Sequence, residues 1–173
     1  MDVPSVTTFL LTWNASDVGY ARTGYESDIE ATSAGRSVRG RWSFGSRRGG
    51  TAPGDRVFLL RQRIDRGIVA SGILADGVIF ADAHWEGDPR KVTHYADVLW
   101  DRVVPVDERL PVQDLLHDVP DHHWNFVFAS GQEIRSPAAE KLARRWAEHL
   151  ADLAVHSPTR SMLKVSRRTL SRS

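Results

Sequence analysis

The chain is 173 residues long, with 41% hydrophobic and 26% charged residues, a formal net charge of +1 and no cysteine. This length supports one domain with a full core, and the lack of cysteine excludes disulfides, thiolate catalysis and the common zinc motifs. No apolar run approaches the roughly 20 residues that span a bilayer, and Thr7 to Leu11 is too short for a signal peptide and has no basic region before it, so a cytoplasmic protein without membrane contact is expected.

In chain order, Thr7 to Asn14 reads as a first strand, with Phe9, Leu11 and Trp13 on one face at period two. Ala15, Ser16, Asp17 and Gly19 make a turn-prone loop, and Tyr25 to Ala34 a short helix closed by Gly35. Arg41 to Gly45 is a short aromatic strand bounded by glycines. Val57 to Leu60 and Ile68 to Ala70 are apolar at consecutive positions, as strands buried on both faces would be. The connection Ile64-Asp65-Arg66-Gly67 predicts a hairpin, with the glycine at positive φ.

Asp76-Gly77 marks the next turn, and Val78 to Ala81 a return strand that extends the meander. Val92 to Val104 alternates as a long curved strand, ended by Pro105. Pro111 to Leu116 is a helical turn, and Trp124 to Phe128 a final strand with Trp124, Phe126 and Phe128 on one face. The clearest helix runs from Pro137 to Leu150, with Ser136 as N-cap, Glu140 in the first turn and a stripe of Ala139, Leu142, Ala143, Trp146 and Leu150. Residues 1–152 are then the folded domain and 153–173 a basic, mobile tail. The expected fold class is α+β, a small β-barrel of about six strands with one or two flanking helices.

Charge is unevenly spread. No acid lies between Glu30 and Asp55, a window that holds Arg36, Arg39, Arg41, Arg47 and Arg48. None follows Asp152, where Arg160, Lys164, Arg167, Arg168 and Arg172 fall. Phosphate binding needs clustered positive charge more than a high total, although solvated loops rich in arginine have the same composition.

Six segments in order carry a family resemblance: Phe-Leu-Leu-Thr-Trp-Asn at 9–14, Gly-Arg-Trp-Ser-Phe-Gly at 40–45, Gly-Asp-Arg-Val-Phe-Leu-Leu-Arg-Gln at 54–62, Arg-Gly-Ile-Val-Ala-Ser-Gly at 66–72, Trp-Asn at 124–125 and Ala-Ser-Gly at 129–131. Together they resemble the EVE family of the PUA-like superfamily of small β-barrels, relatives of YTH and SRA domains, over roughly residues 7–150. The resemblance implies a nucleic-acid reader. Many bacterial EVE domains are fused to HNH restriction endonucleases or restriction GTPases and recognise modified cytosine, so a nuclease or GTPase partner acting in trans is implied too. Two departures fall where the pocket is expected. Phe44 stands where relatives commonly have a small polar residue, and Phe126, Val127 and Phe128 make the stretch after Asn125 longer and more aromatic.

Reading a modified base usually requires flipping it from the stack and holding it between aromatic faces, beside polar groups that reach its edge. Trp13, Trp42, Trp85 and Trp124 are placed at strand ends or in loops, with Asn14, Ser43, Phe44, Asn125 and Ser130 beside or near them. These nine residues are the candidate base pocket, and Arg36, Arg39, Arg41, Arg47 and Arg48 the candidate phosphate contacts. Core packing is the commoner fate of tryptophan; Trp100 and Trp146 are assigned to it, and Asn14 and Asn125 can equally cap turns.

Asp121 with His122 and His123, and Asp82 with His84, show no recognised metal-ligand spacing. The Gly67 to Gly72 spacing lacks the Lys-Ser/Thr of a nucleotide-binding loop, and no serine sits in a nucleophile elbow. The expectation is a non-enzymatic binder without metal or cofactor, whose partner is DNA carrying a modified base. RNA or a small-molecule ligand is the alternative.

Overall fold

A computed structural model describes residues 5–14, 20, 24–84 and 90–169, with side chains as far as His156. The loop at 15–19 and Trp85 lie outside the described residues. Eight strands curl into a mixed half-barrel: β1 (Thr8–Asn14), β2 (Val38–Gly45), β3 (Arg56–Gln62), β4 (Gly67–Leu74), β5 (Phe80–Ala83), β6 (Val92–Val103), β7 (Leu110–Pro111) and β8 (Gln132–Ile134). Three helices flank it among the described residues: α1 (Tyr25–Ser33), α2 (Val112–Asp118) and α3 (Ala138–Thr169). The α+β class is as expected, with eight strands instead of about six because β7 and β8, at two and three residues, are too brief to show a period.

The sheet runs β2-β6-β4-β3-β1-β8, with β5 added to β6 and β7 to β4. The β3–β4 hairpin lies at its centre, and Val57, Leu59, Leu60, Ile68, Val69 and Ala70 are fully buried, so consecutive apolar residues do mark a strand covered on both faces. β1 joins β3 in parallel over its full length, from Thr8 opposite Arg56 to Asn14 opposite Gln62. All the other pairings are antiparallel.

Three expectations are corrected. Positive φ in the β3–β4 connection falls on Arg63 and Asp65, not on Gly67. Gly67 is needed for space: a Cβ there would lie 2.4 Å from the Leu110 carbonyl oxygen, where β7 crosses the start of β4. The return strand begins at Phe80 and pairs with β6, not β4, so the meander is interrupted. Trp124 to Phe126 is a 3-10 turn rather than a strand, since Trp124 turns into the core while Phe126 stays exposed.

The helices cover the sheet. Tyr25 of α1 donates its hydroxyl to the Val104 carbonyl, and Thr32 Oγ1 accepts the Val103 N–H at 2.9 Å, which pins α1 to the end of β6. On α3, Leu142 and Trp146 are buried, with Ala139, Ala143 and Leu150 partly so, as the stripe predicts. The Trp146 indole N–H donates to Ser71 Oγ at 2.9 Å, and its ring meets Phe58 edge-on at 6.5 Å. Helix α3 continues to Thr169, so the segment expected as a tail from residue 153 begins inside it.

Gly67→Ala should cost about 1–3 kcal/mol, the usual penalty for forcing atoms into a packed site. Urea unfolding would measure it, and an unchanged midpoint would show that β7 can yield.

Candidate functional site

Ser130 joins the free edges of the sheet. Its Oγ donates to the Ser43 carbonyl at 2.6 Å and accepts the Thr12 N–H at 3.1 Å, linking β2 to β1 across the open side of the half-barrel. Two glycines at positive φ permit the approach. A Cβ on Gly45 would stand 2.8 Å from the Ser130 carbonyl oxygen, and one on Gly131 2.6 Å from that of Phe44. The Gly131 N–H donates to Leu10 and its carbonyl accepts Arg47 Nε, at 2.9 and 2.8 Å.

On one side of this link lies an aromatic cluster. The Trp42 indole N–H donates to the Thr12 carbonyl at 3.1 Å, so its ring is fixed to the strand that Ser130 holds. Tyr20 stands between the two N-terminal tryptophans, with its ring centroid 4.9 Å from Trp42 and 5.4 Å from Trp13, both edge-on. Tyr25 tilts against Trp13 at 5.0 Å, Trp100 meets Trp42 edge-on at 6.0 Å, and the Arg61 guanidinium lies 4.9 Å over the Trp13 ring. Trp13 is buried and Trp42 only partly so, which leaves Trp42 as the accessible ring of the pair. Burial first, then the neighbouring Asp28 carboxylate, raises the Tyr20 hydroxyl well above the usual tyrosine range, so it stays a donor to Asp28 Oδ2 at 2.9 Å.

On the other side lies an open groove of about 510 Å³, whose lining includes Phe44, Arg47, Arg48, Phe126, Phe128 and Ser130. Arg48 is exposed; Arg47 is partly buried, with its guanidinium 4.9 Å over the Phe9 ring. Phe126 and Phe128 are 66% and 87% exposed.

The fourteen residues selected from the sequence therefore separate. Phe44, Ser130, Arg47 and Arg48 meet at the groove, while Trp13 and Trp42 meet in the aromatic cluster. Trp124 is fully buried, with its indole N–H given to the Val119 carbonyl at 2.9 Å and its ring against His122, the arrangement of a core residue. The Ser43 hydroxyl faces Thr93 Oγ1 at 3.2 Å and accepts the Gly45 N–H, so it steadies the β2 bulge. The Asn125 side-chain oxygen accepts Arg66 Nη1 at 3.1 Å. Asn14 is partly buried at the end of β1.

The arginines do not form one patch. Arg39 pairs with Asp97 at 2.7 Å and reaches Asp76 at 4.0 Å, and Arg41 pairs with Asp82 at 2.7 Å beneath the Tyr95 ring, all on the outer face of β2. Arg36 is exposed just after α1. Tyr20 is not among the candidates named from the sequence, because it sits apart from any periodic segment. Phe126 and Phe128 enter there as the face of a strand and as a departure from the family pattern at the expected pocket, not as site residues.

Of the side chains considered for metal binding, Asp121 pairs with Lys141 at 2.7 Å, Asp82 with Arg41, and His123 packs against the Phe126 ring. Among the described residues no cluster of three or more such side chains could hold a metal ion. Comparisons with models of known families, with curated proteins and with solved structures each found no match.

Ser130→Ala should destabilise the fold by about 1–3 kcal/mol by leaving the Thr12 N–H and the Ser43 carbonyl without this partner; chemical denaturation reads this directly. His122 makes a pH prediction. Burial, helped by His123, holds its imidazole below the ordinary histidine range, and its Nε2 has no hydrogen-bond partner. The folded state thus favours the neutral ring, so this stability is present above the unfolded value of about 6.5 and is lost as pH falls below it. His122→Gln should flatten the fall in stability between pH 7 and pH 5.

Proposed function

We propose that this chain is a non-enzymatic reader of nucleic acid that captures a flipped modified base, a modified cytosine in DNA, as its resemblance to the EVE family implies. The observation that carries the reading is Trp42. It is a partly exposed tryptophan locked in orientation by its hydrogen bond to Thr12, backed edge-on by Tyr20 and Trp100, and on the strand that leads into Arg47 and Arg48. A fixed aromatic face can replace the stacking that a flipped base loses, and adjacent guanidinium groups can hold its phosphates without reading sequence. Tyr20 packs edge-on against both that ring and Trp13. Trp124, being wholly buried, has no part in this version of the cage.

Binding of duplexes with and without 5-methylcytosine, at two salt concentrations, tests the reading. The modified duplex should bind more tightly. Trp42→Ala should weaken it about 5- to 150-fold, the worth of one stacked base, and Arg48→Ala should reduce the salt slope by about one counterion. Equal affinity for the two duplexes rejects modified-base reading, and a preference for RNA over both would transfer the fold to an RNA-binding role.

A further inference from the structure

Phe126 and Phe128 are the least explained apolar side chains in the fold. They flank the buried Val127 at the exit of the 3-10 turn, 66% and 87% exposed, with ring centroids 6.3 Å apart at 74°. The segment itself is held firmly. Gln62 Nε2 donates to the Val127 carbonyl at 2.8 Å, and Arg66 donates to the Trp124 carbonyl at 2.8 Å and to Asn125. Two large rings are thus kept in water by an ordered backbone, with the same groove beside them that Arg47 and Arg48 line.

We infer that Phe126 and Phe128 form a stacking platform for an unpaired nucleotide next to the base being read, with its phosphate on Arg48. The inference rests on the nucleic-acid reading for its ligand class, and it adds a second subsite outside the Trp42 cluster. Four features favour a nucleotide over another apolar partner. The groove, at about 510 Å³, falls within the range of small-ligand sites. No acidic side chain lines it. Arg48 is exposed and makes no ion pair among the described residues. The rings stand at a steep angle, so each offers its own face, and base stacking on an aromatic face is indifferent to base identity. Flipping a base leaves neighbours with one face bare, and a platform beside the capture site would cover one of them.

The test uses the full chain and two probes: a duplex with one 5-methylcytosine, and the same duplex with an unpaired thymine adjoining it. Wild type should prefer the second probe. Phe128→Ala and Phe126→Ala should each weaken it by about 5- to 150-fold, while the ratio between modified and unmodified duplexes stays unchanged. Both residues are exposed, so folding should survive, and circular dichroism would verify it. If the variants keep full affinity for the second probe, the platform is rejected even where modified-base preference persists. If wild type ignores the modification but the variants still lose affinity for the second probe, the platform stands and the base-reading proposal fails. Self-association that disappears in Phe128→Ala, with no loss of nucleic-acid binding, would instead make the patch a contact between copies of this chain and overturn the inference.

Discussion

A set of hydrogen bonds centred on one hydroxyl group holds the open side of this half-barrel together. Backbone ladders connect the sheet from β2 to β8, but its free edges meet through Ser130, whose Oγ bridges Thr12 and Ser43. Two further bonds reinforce this bridge. Thr12 is the residue that receives the Trp42 indole, and Gly131 is the one that receives Arg47. Aromatic cluster and groove therefore lie on either side of one small polar link. Such a link tolerates little change, because Gly45 and Gly131 leave no room for a Cβ against the facing backbone.

The arginines show how far a residue window can mislead. Five of them fall in an acid-free stretch of sequence, yet β2 alternates, so Arg39 and Arg41 point to the outer face, where β6, the Asp76 turn and β5 bring Asp97, Asp76 and Asp82. Acids distant in sequence have supplied the missing partners. These pairs are exposed and contribute little to stability, but they offset positive charge in the middle of the strand. Arg47 and Arg48, beyond the bulge at Ser43 and Gly45, are placed at the groove instead.

Much of the scaffold was legible because burial leaves a period. The consecutive apolar residues of β3 and β4 announced their double-sided burial, and the spacing of Leu142 and Trp146 announced the buried face of α3. Trp100 and Trp146 were assigned to the core on the same grounds and lie there. Positions fixed by contact rather than by period were not legible. Gly67 looks like a turn residue, but its space is taken by the Leu110 carbonyl, over forty residues away in the chain. Trp124 looks like a loop aromatic, but the Val119 carbonyl draws its indole inward. Tyr20 has no periodic neighbours at all, and only the folded chain brings it between Trp13 and Trp42.

The pairing of β1 has a consequence for the order of events during synthesis. Its inner edge is satisfied when β3 forms, but its outer edge, at Thr8 to Leu10, waits for Gln132–Ile134, the last strand among the described residues. A nascent chain that has emerged only to about residue 100 would therefore present Thr8 to Leu10 as a bare strand edge, with the Ser130 bridge still unmade. Contacts of such long sequence separation form slowly, and unpaired edges invite association with other chains. β1 thus depends for its outer partner on a strand that follows it by more than a hundred residues.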